Sequence, residues 1–504
     1  MLVNSEKINK SKASIYNLVF TYASSVIQVI NGILLLPLYL SFFSLADYGA
    51  WVAGSGLLHI FLIVDPGIAT ASTTRLSQAF AKNEDIKFNS LLLSGLLLAA
   101  IFGIIIILLG ILLSLFIPEI IFYVGDRFDE LYLALIICVF GISLNPIVSV
   151  QHSFFQSLLR TFEGNVIHVT SVILSPFTII LCLYNDFGIA SLPAGLLITN
   201  LSAMIAYTFM IPYYLTKTTD AKFFVLKNIN LLDLFNDIKY LYLKRFSKVL
   251  GDNFETSIAG ILFNTQVAGA FAIMKKLIQS IQLFSNGIAT SAFSSMAHVF
   301  EGNDKSRLKL SLNKAIYASD LIQVFGISAL FLAYKPFLFL WLGQEITLGY
   351  FFMMLLAFSS IVSVKSGLLY SMLTSNGLFK ETSYIFIIDI IVRVSGTYLL
   401  VKLISLYALP IAASIGSIIT LILFSKILKE KSDISFKEVL ISFSYYEIFI
   451  YSISIIAGYI IPYPNSINEA VIILLFTIFP FLFFVAIGKN FRKFIVELYK
   501  SYKK

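Results

Sequence analysis

SLADYGAWVAGSGLLHIFLIVDPGIATASTTRLSQAFAKNED, Ser44 to Asp85, decides how the chain is read. Between Gly49 and Thr74 its only ionisable side chains are His59 and Asp65, and about 20 apolar residues are enough for a helix to cross a membrane. Asp65 stands near mid-span beside Pro66 and Gly67. Those two residues loosen a helix where a carboxylate is costly unless it faces protein or water. The stretch predicts a membrane helix over 50–74, entered by a short turn ending at Gly49 and left through the interfacial Arg75.

The same pattern returns 220 residues later. Tyr48-Gly49-Ala50-Trp51 aligns with Ala268-Gly269-Ala270-Phe271, and Phe80-Ala81-Lys82-Asn83-Glu84 with Phe300-Glu301-Gly302-Asn303-Asp304. The shift also maps Arg160 onto Lys380 and the apolar spans 91–117 and 131–158 onto 311–337 and 351–378. Two parallel repeats follow from one ungapped offset.

Composition agrees. Of 504 residues, 58% are hydrophobic and 13% charged, whereas soluble globular chains run at about 25% charged. Apolar runs place fourteen helices, near 15–42, 50–74, 91–117, 131–158, 165–184, 189–213, 247–265, 268–297, 313–336, 349–374, 382–402, 408–428, 446–461 and 469–488. The predicted fold is an all-α polytopic membrane protein with two parallel six-helix repeats, 1–213 and 247–430. A linker, 214–246, joins them, and a terminal helix pair with a basic tail, 431–504, follows. With a cytoplasmic N-terminus, 29 of the 36 basic residues fall on the cytoplasmic side, so both termini read as cytoplasmic. The net charge of +8 is thus topological and argues for membrane lipids rather than nucleic acid as its partner. The first span, preceded by Lys7, Lys10 and Lys12, is too long for a signal peptide and is expected to remain. Cys138 and Cys182 lie inside apolar spans and read as small buried hydrophobes.

No enzyme constellation appears. His59, His152, His168 and His298 have no metal-ligand spacing, and no phosphate-cradling Gly-Lys-Ser/Thr loop is present, so neither metal nor cofactor is expected. The informative residues are charges inside spans. Lys275 and Lys276 lie side by side in the eighth span and Lys365 midway through the tenth. Each costs about 2.5 to 3.5 kcal/mol at a helix centre, so they must snorkel, pair or line a watery cavity. Asp389 and Arg393 are one turn apart in the order that favours a self-contained ion pair. Asp252 and Glu255 share a face near the start of the seventh span and, with Asp65 and Asp389, are candidates for coupling to an ion. Arg75 is a candidate for substrate entry and Trp51 for cavity lining.

Asp47-Tyr48-Gly49 leading to Trp51, then Asp65-x-Gly67 and Thr74-Arg75-x-x-Ser77, resembles the second-helix signature of bacterial polysaccharide flippases. These are the O-antigen repeat-unit translocases of the multidrug/oligosaccharidyl-lipid/polysaccharide (MOP) exporter superfamily. Gly269 with Phe271, Phe300-Glu301-Gly302-Asn303-Asp304 and Trp341-Leu342-Gly343 are similar to family patterns in the second repeat. Pro66 and Met296-Ala297 depart from the family pattern. The resemblance implies a two-lobed bundle like that of the MATE transporters, in the bacterial cytoplasmic membrane, around a cavity with basic lining. It implies translocation of a polyprenyl-pyrophosphate-linked oligosaccharide, an O-antigen or capsule repeat unit, by alternating access. Lys275, Lys276, Lys365 and Arg393 would then meet the phosphates, a proton or sodium ion could be the counter-ion, and a glycan polymerase would be a partner. A drug antiporter would want an acid-dominated cavity, and a peptidoglycan-precursor flippase differs only in cargo. A membrane polymerase or glycosyltransferase would need a sizeable outer loop, and none exceeds about fifteen residues.

Overall fold

Pro66 has no N–H to donate and its ring clashes with the carbonyl four residues earlier, so an α-helix cannot run through it undisturbed. The computed structural model describes residues 10–63, 65–123, 125–218, 254–301, 305–343, 346–375, 378–432 and 445–487. In it the single helix expected over 50–74 is two, α2 (Leu45–Leu58) and α3 (Asp65–Ala81), separated by a 3-10 stretch, His59–Ile63. The turn expected before Gly49 is also helical from Leu45. Ser44 and Asp47 form a capping box, the Asp47 N–H donating to Ser44 Oγ at 3.1 Å and the Ser44 N–H to Asp47 Oδ2 at 3.2 Å, which satisfies donors that a helix start leaves orphaned.

Each of the other expected spans holds one helix. In chain order α1 (Lys10–Phe42) precedes α2, and after α3 come α4 (Asp85–Ile120), α5 (Phe128–Ser157), α6 (Thr161–Tyr184), α7 (Ser191–Thr218) and α8 (Glu255–Leu262). Then follow α9 (Thr265–Glu301), α10 (Lys305–Leu342), α11 (Tyr350–Ser375), α12 (Phe379–Ile404), α13 (Ala408–Ser432), α14 (Tyr445–Ile460) and α15 (Ile467–Ile487). All regular elements among the described residues are helical. Eight described segments are long and apolar enough to cross a membrane, and three shorter apolar helices accompany them. Lipid-facing surface is visible on α4, where Ile104, Leu108, Leu112 and Leu115 are exposed. The protein is a polytopic all-α membrane protein.

The chain divides into two compact units, Met1–Gly269 and Ala270–Lys504. Residues 219–246 of the expected linker lie outside the described residues. In the first unit, α3, α4, α5 and α7 close on a dry core that includes Leu76, Phe88, Phe154, Phe155 and Tyr207. The polar tip of Tyr207 is matched, its Oη donating to the Gly164 carbonyl at 2.8 Å. At the end holding the α1–α2 turn, Tyr123 donates to Asp47 Oδ1 at 2.6 Å, Arg127 lies 5.7 Å from the centre of the Phe43 ring, and Glu130 accepts from the Ile189 N–H. Burial and the Asp47 carboxylate both raise the Tyr123 phenol above its usual pKa, so it stays a donor.

The first unit also takes in α8 and the first turn of α9. Ser257 Oγ donates to the Ala53 carbonyl at 2.7 Å. Gly49 and Gly269, the paired glycines of the sequence repeat, meet there. A Cβ on Gly269 would stand 2.7 Å from the Leu45 carbonyl oxygen and 3.2 Å from the Gly49 Cα, and one on Gly49 would strike the Thr265 carbonyl. Only glycine permits this backbone approach.

The second unit packs α10, α11, α12 and α13 around Ile316, Leu369, Tyr370, Ile385 and Phe424. The terminal pair joins α10 and α11: Tyr350 Oη on α11 donates to the Ile455 carbonyl at 2.7 Å, and Lys335 Nζ on α10 caps the end of α14 on the Tyr459 carbonyl at 2.9 Å.

Gly49→Val is expected to cost about 3 kcal/mol or more, because backbone must move to admit the side chain. Gly367→Ala, whose Cβ would meet nothing closer than 3.9 Å, should change stability by no more than about 1 kcal/mol. Thermal unfolding of the purified chain in detergent checks both.

Candidate functional site

A charge inside a membrane bundle needs a counter-charge or hydrogen-bonding partners. The second unit supplies both from neighbouring helices. Lys365 on α11 has no charged neighbour in sequence, but α10 brings Asp320 to it: Nζ to Oδ2 is 3.0 Å, with side chains 5% and 3% exposed. Asp320 is the residue that sequence reasoning missed. The signal was present, since Asp320 is an acid inside the apolar span 313–336, as Asp65 is inside its own.

Asp389 and Arg393 pair on α12, as their spacing implies. Arg393 Nε lies 2.9 Å from both carboxylate oxygens, and Nη2 donates to Ser417 Oγ on α13 at 2.7 Å. Gly416 makes room for them, for a Cβ there would stand 2.5 Å from Asp389 Oδ1 and 3.1 Å from Arg393 Cγ. The two ion pairs share one seam. Ser366, next to Lys365, donates to the Ser417 carbonyl at 3.3 Å. Towards α9 the seam continues through amides: Gln323 donates to Ser285 Oγ at 3.0 Å, Ser360 to Gln323 Oε1 at 3.4 Å, and Gln282 to Ser360 Oγ at 2.7 Å. Five helices, α9 to α13, thus contribute polar groups to one interior.

Lys275 and Lys276 are both half-buried on α9, and Lys276 lies about 9 Å along the helix axis from Gln282 at the ordinary rise per residue. Lys275 Nζ sits 5.6 Å from the centre of the Phe271 ring, a cation–π distance. That ring is buried and meets Phe352 edge-on at 5.9 Å, so an aromatic wall runs from Lys275 to α11. Successive residues project about 100 degrees apart on a helix, so Lys276 points away from this wall.

The remaining sequence candidates belong to the first unit. Trp51 on α2, Arg75 on α3 and Glu255 at the start of α8 are half-buried, and Asp65 is the first residue of α3, at the junction with the 3-10 stretch. Asp252 lies outside the described residues. The histidines His152 and His168 stack at 6.0 Å in the bundle, His152 sharing a hydrogen bond with Asn165 at 3.2 Å. Among the described residues no three His, Cys, Asp or Glu side chains gather as a metal site.

A profile of the family described as polysaccharide biosynthesis protein matches residues 76–347, more than half of the chain. The chain belongs to that family. Its fold is shared by solved structures of a multidrug resistance MATE family transporter of the MOP superfamily. The inward-facing form has a TM-score of 0.65 at 14% identity over 81% of this chain and 95% of that one. The outward-facing form has 0.59 at 14% identity over 84% and 95%. A MATE structure in complex with MaL6 gives 0.60 at 13% identity over 84% and 97%. No curated protein matches in sequence. This polysaccharide biosynthesis protein is therefore a multi-pass membrane protein whose fold is that of the MATE transporters.

Its α12 pair is expected to behave as a matched unit. Asp389→Ala, which strands the Arg393 charge, should cost roughly 3 kcal/mol. Asp389→Leu combined with Arg393→Met should fall within about 1 kcal/mol of the parent. Unfolding midpoints of the two variants in the same detergent decide it.

Proposed function

We propose that the protein is a flippase that carries a polyprenyl-pyrophosphate-linked oligosaccharide, an O-antigen or capsule repeat unit, from the cytoplasmic to the outer leaflet of the bacterial inner membrane. The observation that carries the reading is the coincidence of a polysaccharide biosynthesis family with a transporter fold. A chain in glycan synthesis that has no catalytic outer loop but has a transporter's architecture is best understood as moving a glycan intermediate.

The physics of the cargo fits the charges. A pyrophosphate carrying sugars cannot cross about 30 Å of hydrocarbon unaided, whereas its polyprenyl tail can stay in lipid. Lys275 and Lys276 on α9 are assigned to the phosphates, with Lys365 and Arg393 as the cations behind them, each already balanced by an acid. Trp51, half-buried on α2, offers a stacking face for sugars, and Arg75 serves entry from the cytoplasm. Residues 1–213 and 247–430 act as the two lobes of an alternating-access cycle, joined by 214–246, with both termini cytoplasmic. An inside-negative potential favours expelling an anion by about 2.3 kcal/mol per charge per 100 mV. A glycan polymerase is the partner that would receive the delivered unit.

Transfer of a defined polyprenyl-pyrophosphate oligosaccharide across proteoliposomes tests the reading. The wild type should transfer it, faster under an inside-negative potential. Lys275→Ala with Lys276→Ala should slow transfer about tenfold or more, the loss of one charge-assisted contact of about 1.5 kcal/mol. Undiminished transfer by the double variant would remove the phosphate assignment. Absence of transfer together with proton-driven efflux of an organic cation would overturn the flippase reading.

A further inference from the structure

Asp320 and Lys365 are the most deeply buried ion pair among the described residues. Burying both charges is expensive, and apolar residues of similar volume would hold such a place equally well or better. Packing does not need the pair either, since Ile316, Leu369 and Phe424 already fasten α10, α11 and α13. Beside it the Ser319 hydroxyl is fully buried and makes no hydrogen bond, a group that costs about 1–3 kcal/mol when left unmatched. Hydroxyls and amides lead away on both sides, through Gln323, Ser285 and Ser360 in one direction and Ser366 and Ser417 in the other. A polar interior built at this cost serves a change of charge state.

We infer that Asp320, held by Lys365, is the proton-binding site of the second unit and that the ion coupled to transport is a proton. The step balances simply: one proton joins the Asp320 carboxylate to give the neutral acid, and Lys365 keeps its charge and is released from the pair. Two states result, one paired and deprotonated, the other separated and protonated. A lone carboxylate in such an interior is relieved by taking up a proton. A sodium ion would instead need several oxygen ligands around the carboxylate, and the sodium-gradient arm below tests it.

Other ionisable groups lie on the surrounding helices. Among the described side chains of α9 these are Lys275 and Lys276, beyond the Gln282 and Ser285 positions. Among the described side chains of α14 they are Tyr451, beside Phe331, and Tyr459, beside Tyr350; Phe331 is about 16 Å along α10 from Asp320. On α15 Glu469 bonds the Asn465 N–H. Tyr370 on α11 packs on Phe386, and Lys314 and Tyr317 precede Asp320 on α10 itself. Arg393 donates to Ser417 Oγ, and the Ser417 carbonyl accepts from Ser366, the sequence neighbour of Lys365. Lys365 is in salt-bridge contact with Asp320 at 3.0 Å.

The proton site stands on geometry; its coupling to glycan transfer rests on the flippase reading, and the experiment separates the two. Infrared difference spectra of the full chain in lipid nanodiscs, between mildly alkaline and mildly acidic buffer, should show a protonated-carboxyl band. The band should vanish in Asp320→Asn combined with Lys365→Gln, a charge-neutral double variant that avoids stranding the ammonium, and shift in Asp320→Glu. In proteoliposomes at clamped potential, a pH gradient should change the wild-type transfer rate severalfold, and in the double variant the ratio with and without gradient should fall to one. A sodium gradient should leave both unchanged. An unaltered band in the double variant, or a sodium gradient that replaces the proton gradient, overturns the inference. A band lost as expected, with no glycan transferred by any variant, keeps the proton site and removes the flippase reading.

Discussion

An ammonium or carboxylate inside a lipid-spanning bundle must be matched by other groups of the bundle, because hydrocarbon offers nothing to it. The second unit is arranged by this requirement. Asp320 on α10 answers Lys365 on α11, Asp389 answers Arg393 within α12, and Ser417 on α13 bonds both Arg393 and Ser366, the sequence neighbour of Lys365. Gly416 is a glycine because a methyl group would stand where the Asp389 carboxylate must lie. The aromatic core of this unit fixes the helices, and the polar seam runs between them.

The first unit solves a different problem. Its core of Phe88, Phe154, Phe155 and Tyr207 is largely dry, and its charged contacts lie at helix ends, as with Asp47 and Tyr123 or Arg160 and Glu163. The 220-residue offset makes the contrast plain. Lys275, Lys276, Asp320, Lys365, Asp389 and Arg393 fall opposite Ser55, Gly56, Ala100, Asn145, Val169 and Ile173. The repeat preserves the scaffold and the Gly49–Gly269 approach, while these six positions carry charge in the second copy only.

Much of this was legible without coordinates. Helix positions were, because about 20 apolar residues in a row have few other uses. So was the Asp389–Arg393 pair, which is local to one helix turn, and the capping box could have been read from Ser44-x-x-Asp47. The Asp320–Lys365 pair was not, because it depends on which faces of α10 and α11 meet, and that is a tertiary fact. The break near Asp65 was half-legible: Pro66 and Gly67 marked it, but the five residues before them absorb it in a way that residue types do not announce.

Those five residues change how the neighbouring helix is to be drawn. A 3-10 turn advances about 120 degrees per residue against about 100 degrees for an α-helix, so His59–Ile63 rotates all that follows by roughly 100 degrees. A single helical wheel drawn from Trp51 through Arg75 would therefore set α3 out of phase by about one residue. Substitution scans across this span are properly read on two wheels, one ending at Leu58 and one beginning at Asp65. A periodicity fitted across the join would average two faces that do not coincide.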